Sequence, residues 1–108
     1  MKVSTYMNAV NQDEKGALKN TLVLRVKYAP VKQPLVEPHI EGGTTLAQVK
    51  TLALTHFGLT EGEVTGGTKS YQLSFEDVVQ SNLNVTLDSL AAHGRQVQLL
   101  LIEQFIQG

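Results

Sequence analysis

Cysteine is missing from the 108 residues of this sequence, and neither sign of charge is in excess. Without cysteine the chain has no disulfide bond, thiolate metal ligand or cysteine nucleophile, which fits a reducing compartment and leads us to expect a cytoplasmic protein. Nine basic and ten acidic residues give a formal charge of −1. Because no basic block is present, we expect no nucleic-acid partner.

Long apolar runs are also missing. The longest, residues 99–102, is far too short to cross a bilayer, and the first residues lack the apolar stretch of a signal peptide. We therefore expect no membrane association. The chain is long enough to bury one hydrophobic core, and we expect a monomer.

The residues that could carry chemistry are scattered. His39, His56 and His93 lack metal-ligand spacing, and we expect them to be surface or turn residues. The pairs Gly42-Gly43 and Gly66-Gly67 lack the Lys-Ser/Thr that follows a phosphate-binding loop, so they indicate turns. From the sequence we expect no catalytic residue, metal site or cofactor, and hence no enzyme.

Three regions differ in pattern. Residues 1–20 are polar and aperiodic, which predicts a flexible N-terminal extension. Residues 21–102 alternate between periodic segments and turns, which predicts one folded domain. Residues 103–108 follow the last periodic segment, and we expect them to form a short C-terminal tail.

The first half predicts two strands and a helix. Residues 21–28 alternate with period two, and residues 35–41 form a second strand that should lie at a sheet edge, because Pro38 cannot donate to a ladder. Thr45 and Gln48 form a capping box at the start of a helix, and Gly58 is placed to cap its end.

The second half predicts two longer strands, over residues 69–75 and 96–102, with a short extra strand at 78–79 and a helical turn over 86–94 between them. On the last strand, Leu100 and Ile102 should face outward. The predicted core consists of Leu22, Leu24, Val26, Val49, Leu52, Phe57, Leu73, Phe75, Leu87, Val97, Leu99 and Leu101.

This order predicts an α+β fold of the β-grasp type, with a mixed sheet of four to five strands packed on one long helix. The first and last strands should be central parallel neighbours, because the helix lies in the connection between them.

Four segments resemble ubiquitin and its relatives. They are Thr-Leu-Ala-Gln-Val-Lys at residues 45–50, Gln-Leu-Ser-Phe at 72–75, Thr-Leu-Asp-Ser-Leu at 86–90 and Gln-Leu-Leu-Leu at 98–101. The resemblance covers residues 21–108. It implies a protein modifier whose Gly108 carboxylate is activated with ATP and joined to an amine, with activating and conjugating enzymes as partners. The chain ends in Gln107-Gly108 where ubiquitin-type modifiers have Gly-Gly.

A second interpretation is a non-covalent adaptor. Ser74 stands where the resemblance places ubiquitin's central patch isoleucine, but Leu100, Ile102, Phe105 and Ile106 remain as apolar candidates for binding a protein partner, with Gln107 beside them. Phe105 and Ile106 alternatively extend the last strand and pack at a sheet edge. A sulfur carrier is the third alternative and fits less well, because such carriers are shorter and keep Gly-Gly.

Overall fold

A computed structural model describes residues 21–92 and 94–108. Within them, six strands form one mixed sheet that packs against two helices. The strands are β1 (Thr21–Tyr28), β2 (Leu35–Glu41), β3 (Gly62–Val64), β4 (Gly67–Phe75), β5 (Val78–Val79) and β6 (Gln96–Gln107). The helices are α1 (Leu46–Phe57) and α2 (Leu87–Ala91). The predicted extension at residues 1–20 and the predicted turn residue His93 lie outside the described residues.

The strand order across the sheet is β2-β1-β6-β4-β3, with β5 paired to β4. Strands β1 and β6 are parallel neighbours, and the other pairs are antiparallel. This arrangement confirms the predicted β-grasp. Strand β2 lies at an edge, as Pro38 predicted, and the register between β1 and β2 shifts where Pro38 and His39 stand, which accommodates the missing donor.

Helix α1 begins and ends where the sequence predicts. The amide of Gln48 donates to Thr45 Oγ1 over 3.3 Å, and the amide of Thr45 donates to Gln48 Oε1 over 2.9 Å, which completes the capping box. At the other end Gly58 has φ 69°, a left-handed conformation that favours glycine, and the Leu59 amide donates to the Leu54 carbonyl.

The core lies between α1 and one face of the sheet. Most predicted core residues are buried, whereas Phe57 and Phe75 are half-buried. The prediction that Leu52 belongs to the core is wrong. Helix α1 turns Leu46, Val49 and Ala53 toward the sheet, and Leu52 lies at the margin of that stripe, where it is 40% exposed. The remaining buried apolar residues are Tyr28, Leu35, Leu46, Ala53 and Tyr71.

The last strand is longer than predicted. The sequence places its end at residue 102, because polar residues follow, but β6 continues to Gln107. Residues 103–107 pair with β4, from Tyr71 opposite Glu103 to Gly67 opposite Gln107. The segment predicted as a tail is therefore mostly strand. Residues 103–105 pair with residues 69–71 of the predicted strand, and residues 106–107 pair with residues 67–68, which the predicted strand did not include.

Candidate functional site

Alternation along β6 separates its side chains between the two faces of the sheet. Val97, Leu99 and Leu101 point to the core. Leu100, 40% exposed, and the half-buried Ile102 point to the opposite side, as predicted. We call the side turned away from α1 the outer face, and the side that α1 covers the inner face.

One row of four residues crosses the outer face. Leu100 lies between Lys27 of β1 and Ser74 of β4, and Ser74 pairs on its other side with Val79 of β5. Ser74 is buried, whereas Val79 is 44% exposed. The row therefore presents two apolar side chains, Leu100 and Val79, over a small covered serine, with a lysine at one end.

Leu100 stands between two shallow depressions. One is lined by Lys27, Ser74, Gln98 and the acidic turn residues Glu76 and Asp77. This side of Leu100 therefore carries both signs of charge around an apolar centre.

The second depression joins the outer face to the loop after β1. Its lining residues are Lys27, Tyr28, Ala29, Val31, Lys32, Pro34 and Leu100. Val31 is 41% exposed, which adds an apolar side chain at this border. Leu100 and Lys27 line both depressions. Leu100 is therefore the apolar residue at the centre of the site.

The predicted binding residues divide between the two faces. Leu100, Ile102 and Ile106 share the outer face, and Ile106 is 54% exposed. Phe105 and Gln107 belong to the alternate positions of β6, so they lie on the inner side together with Glu103. The structure thus does not bring all five residues into one patch. It adds Lys27 and Val79 to the row that contains Leu100. No local motif indicates these two residues, because their positions depend on long-range strand pairing.

Phe105 lies next to Gly66 and Gly67, the glycine pair at the start of β4. A side-chain carbon at Gly67 would lie 2.8 Å from Phe105 Cζ and would also collide with the Ile106 carbonyl oxygen. Gly67 is therefore needed for close approach of β6. Beyond it, the Gly108 amide donates to the Gly66 carbonyl over 3.0 Å, so the predicted conjugation residue lies at the end of the β4–β6 ladder.

Glu103 anchors the start of this segment. Its Oε1 accepts hydrogen bonds from the hydroxyls of Tyr28 and Tyr71, each over 3.2 Å. Burial of Tyr71 raises the pKa of its hydroxyl, and the hydrogen bonds and charges of Tyr28 and Glu103 raise that pKa further. Tyr71 therefore remains a neutral donor at physiological pH, which suits its hydrogen bond to the Glu103 carboxylate.

Metal binding has no support in the described part of the chain. Among residues 21–92 and 94–108, no group of three or more His, Cys, Asp and Glu side chains is arranged to hold an ion. Within the same residues, no helix is long and apolar enough to span a membrane.

Comparison with solved structures decides the fold. Ubiquitin of Caldiarchaeum subterraneum superposes with a TM-score of 0.58 at 16% identity, covering 82% of this chain and 99% of that one. The chain has the ubiquitin-like fold. A chain from the structure "Molecular Mimicry of SUMO promotes DNA repair" has a TM-score of 0.56 at 14% identity, covering 77% of this ubiquitin-like chain and 91% of that chain. No protein-family model and no curated protein matches the sequence.

Proposed function

We propose that this ubiquitin-like protein binds another protein non-covalently through its outer face. The observation that carries the proposal is the position of Leu100, an exposed leucine between two depressions, with exposed Val79 in the same row beyond Ser74. Exposed apolar surface bordered by polar groups is typical of protein interaction sites. Protein partners are also what the ubiquitin-like fold favours, although a fold alone does not determine a function. The proposal assigns no catalytic role to the protein and includes a cytoplasmic location.

The chemistry of the outer face defines the kind of partner. An apolar side chain would cover Leu100, and charged groups at its border would meet Lys27 on one side and Glu76 and Asp77 on the other. Binding energy at such sites is concentrated in a few central side chains, and the surrounding polar residues contribute orientation and rate of association. Leu100 is therefore expected to dominate the affinity.

Site-specific photo-crosslinking followed by an affinity measurement tests this proposal. In cells of the source organism, a photoreactive amino acid replaces exposed Gln98, which lines the depression that also contains Glu76 and Asp77. In the control, it replaces exposed Thr55 on α1. A partner that crosslinks from position 98 and not from position 55 is then purified for binding to the intact protein.

Two leucines of equal exposure make the affinity test a matched one. Leu100 and Leu52 are each 40% exposed, on opposite sides of the domain. We expect Leu100→Ser to weaken binding about ten-fold or more, and Leu52→Ser to leave it unchanged. Equal affinity of both variants and the wild type would contradict binding through the outer face.

Conjugation through Gly108 is the second candidate function. The observation that favours it is that Gly108 is exposed and lies at the end of a long strand, where its amide bonds to Gly66. ATP would convert the carboxylate to an acyl adenylate with release of pyrophosphate, and transfer to an amine would then release AMP. Because residues 103–107 pair with β4, the end of β6 must leave the sheet before an activating enzyme can bind it as an extended segment.

Isolation of the tagged protein under denaturing conditions tests this candidate. Covalent adducts should survive denaturation and disappear when Gly108 is deleted, whereas Leu100→Ser should still form them if only the terminal segment reacts. Absence of Gly108-dependent adducts from cells of the source organism would exclude conjugation there.

A further inference from the structure

Strand β6 changes its surroundings half-way along its length. Up to Leu101 it lies between β1 and β4, but β1 ends at Tyr28, opposite Leu101. From Glu103 to Gln107, β6 is paired with β4 on one side, and no strand among residues 21–92 and 94–108 pairs with its other side. An apolar depression lined by Pro30, Ile102 and Glu103, among others, opens at the corner where β1 leaves.

The backbone groups on that second side can be identified. Gly108 bonds to Gly66, which continues the register of β6 and β4, and bonded pairs alternate along antiparallel strands. Ile106 and Gln104 therefore direct their amides and carbonyls to β4, and Glu103, Phe105 and Gln107 direct theirs away. The Tyr71 amide, opposite Glu103, agrees with this pattern, because it bonds to Glu61 on the far side of β4.

Other edges of the sheet are protected. Strand β2 carries Pro38 and a register shift, β3 is three residues long and contains Gly62 and Glu63, and β5 is two residues long. Prolines, irregularities, charges and short length are the features that prevent edge-to-edge pairing. Residues 103–107 lack a proline and a bulge, and their charged residue, Glu103, is engaged by two tyrosines.

We propose that this edge of β6 pairs with the same edge of a second copy of the chain, in an antiparallel arrangement centred on Phe105. The two sheets would then join into one. The proposal is independent of the proposed function, since the outer-face residues around Leu100 do not take part in the pairing.

Self-complementarity favours a second copy of the chain as the partner, and charge disfavours the register centred on Glu103. With Phe105 opposite Phe105 of the second copy, Glu103 faces uncharged Gln107, and Gln104 faces Ile106. Centring on Glu103 instead would set two carboxylates opposite each other, which is destabilising. The edge is thus self-complementary in the Phe105-centred register, which pairs all five residues, and cross-strand aromatic pairs favour that register.

The expected dimer is weak. Five residues from each chain form an interface smaller than about 1,200 Å², a size typical of transient complexes. At low protein concentration the monomer expected from the sequence should dominate, and the dimer should accumulate as concentration rises. Such a dimer is two-fold symmetric, so each backbone hydrogen bond across it occurs twice.

Proline substitutions at outward-facing positions test the pairing in the full chain. Gln107→Pro removes an amide that points away from β4, so the internal ladder stays intact, and Gln107→Ala removes the same side chain but keeps the amide. Phe105→Pro and Phe105→Ala form a second matched pair. Sedimentation equilibrium over a range of concentrations measures the dimer, and a circular dichroism spectrum for each variant verifies folding.

We expect a concentration-dependent dimer in the wild type. Each proline variant should dimerise about ten-fold or more weakly than its alanine counterpart, because two hydrogen bonds are lost from the symmetric pair. A wild type that stays monomeric at the highest soluble concentration, or proline variants that dimerise as well as the alanine variants, would overturn the proposal.

Oxidative crosslinking checks the register. Because the chain has no cysteine, Phe105→Cys introduces a single thiol, and so does the control Ile106→Cys. Under oxidised glutathione, position 105 should form disulfide-linked dimers several-fold faster than position 106, since residue 105 alone faces its own copy. Equal rates would overturn the Phe105-centred register.

Discussion

Gly42 and Asp88 contact each other at the junction of the two helices. The Asp88 amide donates to the Gly42 carbonyl over 2.9 Å, and the Asp88 carboxylate fills the space in which a side chain at position 42 would begin. This contact joins the end of β2 to the start of α2, next to the bridge that pairs Thr45 with Thr86.

Gly42→Ala should therefore lower the free energy of unfolding by up to about 1 kcal/mol, because the new methyl group displaces the Asp88 carboxylate, which is the end of an exposed, flexible side chain. Urea denaturation measures the change. Gly43→Ala is the matched control, since nothing lies within 4 Å of a side-chain carbon there, and it should change stability by less than about 0.5 kcal/mol. Asp88→Ala should restore part of the loss in Gly42→Ala, and a double variant no more stable than Gly42→Ala would show that the carboxylate is not the cause.

The turn between β4 and β5 stores backbone strain. Glu76 and Asp77 have φ of 51° and 68°, in the left-handed region where glycine and asparagine are favoured. Replacing the pair by Asn-Gly should raise the unfolding free energy by roughly 0.5–1 kcal/mol. Glu76→Gln removes the same charge without changing the backbone preference and should give no comparable gain in thermal or urea unfolding. A loss of stability on Asn-Gly substitution would show that the backbone at Glu76 and Asp77 is not strained.

Two leucines of α1 should differ in their contribution to stability. Leu46 is fully buried, so Leu46→Ala should cost about 2–5 kcal/mol through loss of packing and creation of a cavity. Leu52→Ala should cost less than about 1 kcal/mol, because the residue is 40% exposed and lies at the margin of the buried stripe. Equal losses in chemical denaturation would show that Leu52 packs in the core, as the sequence had suggested.

Glu61 should make stability depend on pH. Its Oε2 lies 2.8 Å from Lys50 Nζ and accepts the Tyr71 amide over 2.7 Å. Partial burial alone would raise the pKa of Glu61, but the Lys50 and Tyr71 interactions outweigh it and hold that pKa below its ordinary value of 4.5. The lowered pKa stabilises the fold at pH values above 4.5, and this stabilisation is lost as pH falls through the folded-state pKa.

The measurement is urea denaturation from pH 7 to pH 3, on the wild type and on Glu61→Gln. Since the ion pair is partly exposed, the substitution should cost no more than about 1 kcal/mol at pH 7, and the difference should shrink toward pH 3. A difference that grows as the pH falls would contradict the sign of the pKa change.

Local sequence signals predicted much of this fold. The capping box at Thr45, the glycine at the end of α1 and the alternation of β1 each depend on residues close in the chain, and the structure has all of them. Long-range pairing was harder to predict. Polar Glu103 and Gln104 suggested that β6 ends at Ile102, but strand length is determined by the partner, and β4 begins early enough to pair through Gln107.

The candidate site shows the same division. Alternation predicted that Leu100 and Ile102 face outward, whereas the position of Lys27 and Val79 in the same row as Leu100 depends on the order of the strands in the sheet. The division of the predicted patch between two faces follows from the extension of β6, because residues 105 and 107 then alternate with 106.

Binding through the outer face is the central claim, and one measurement tests it most directly. The crosslinked partner is titrated with the wild type, with Leu100→Ser/Ile102→Ser and with a chain lacking Gln107-Gly108, and affinity is measured by calorimetry. The claim predicts that the double variant, folded by circular dichroism, loses binding, and that the shortened chain binds as the wild type does. Full binding by the double variant, or loss of binding only in the shortened chain, would contradict it.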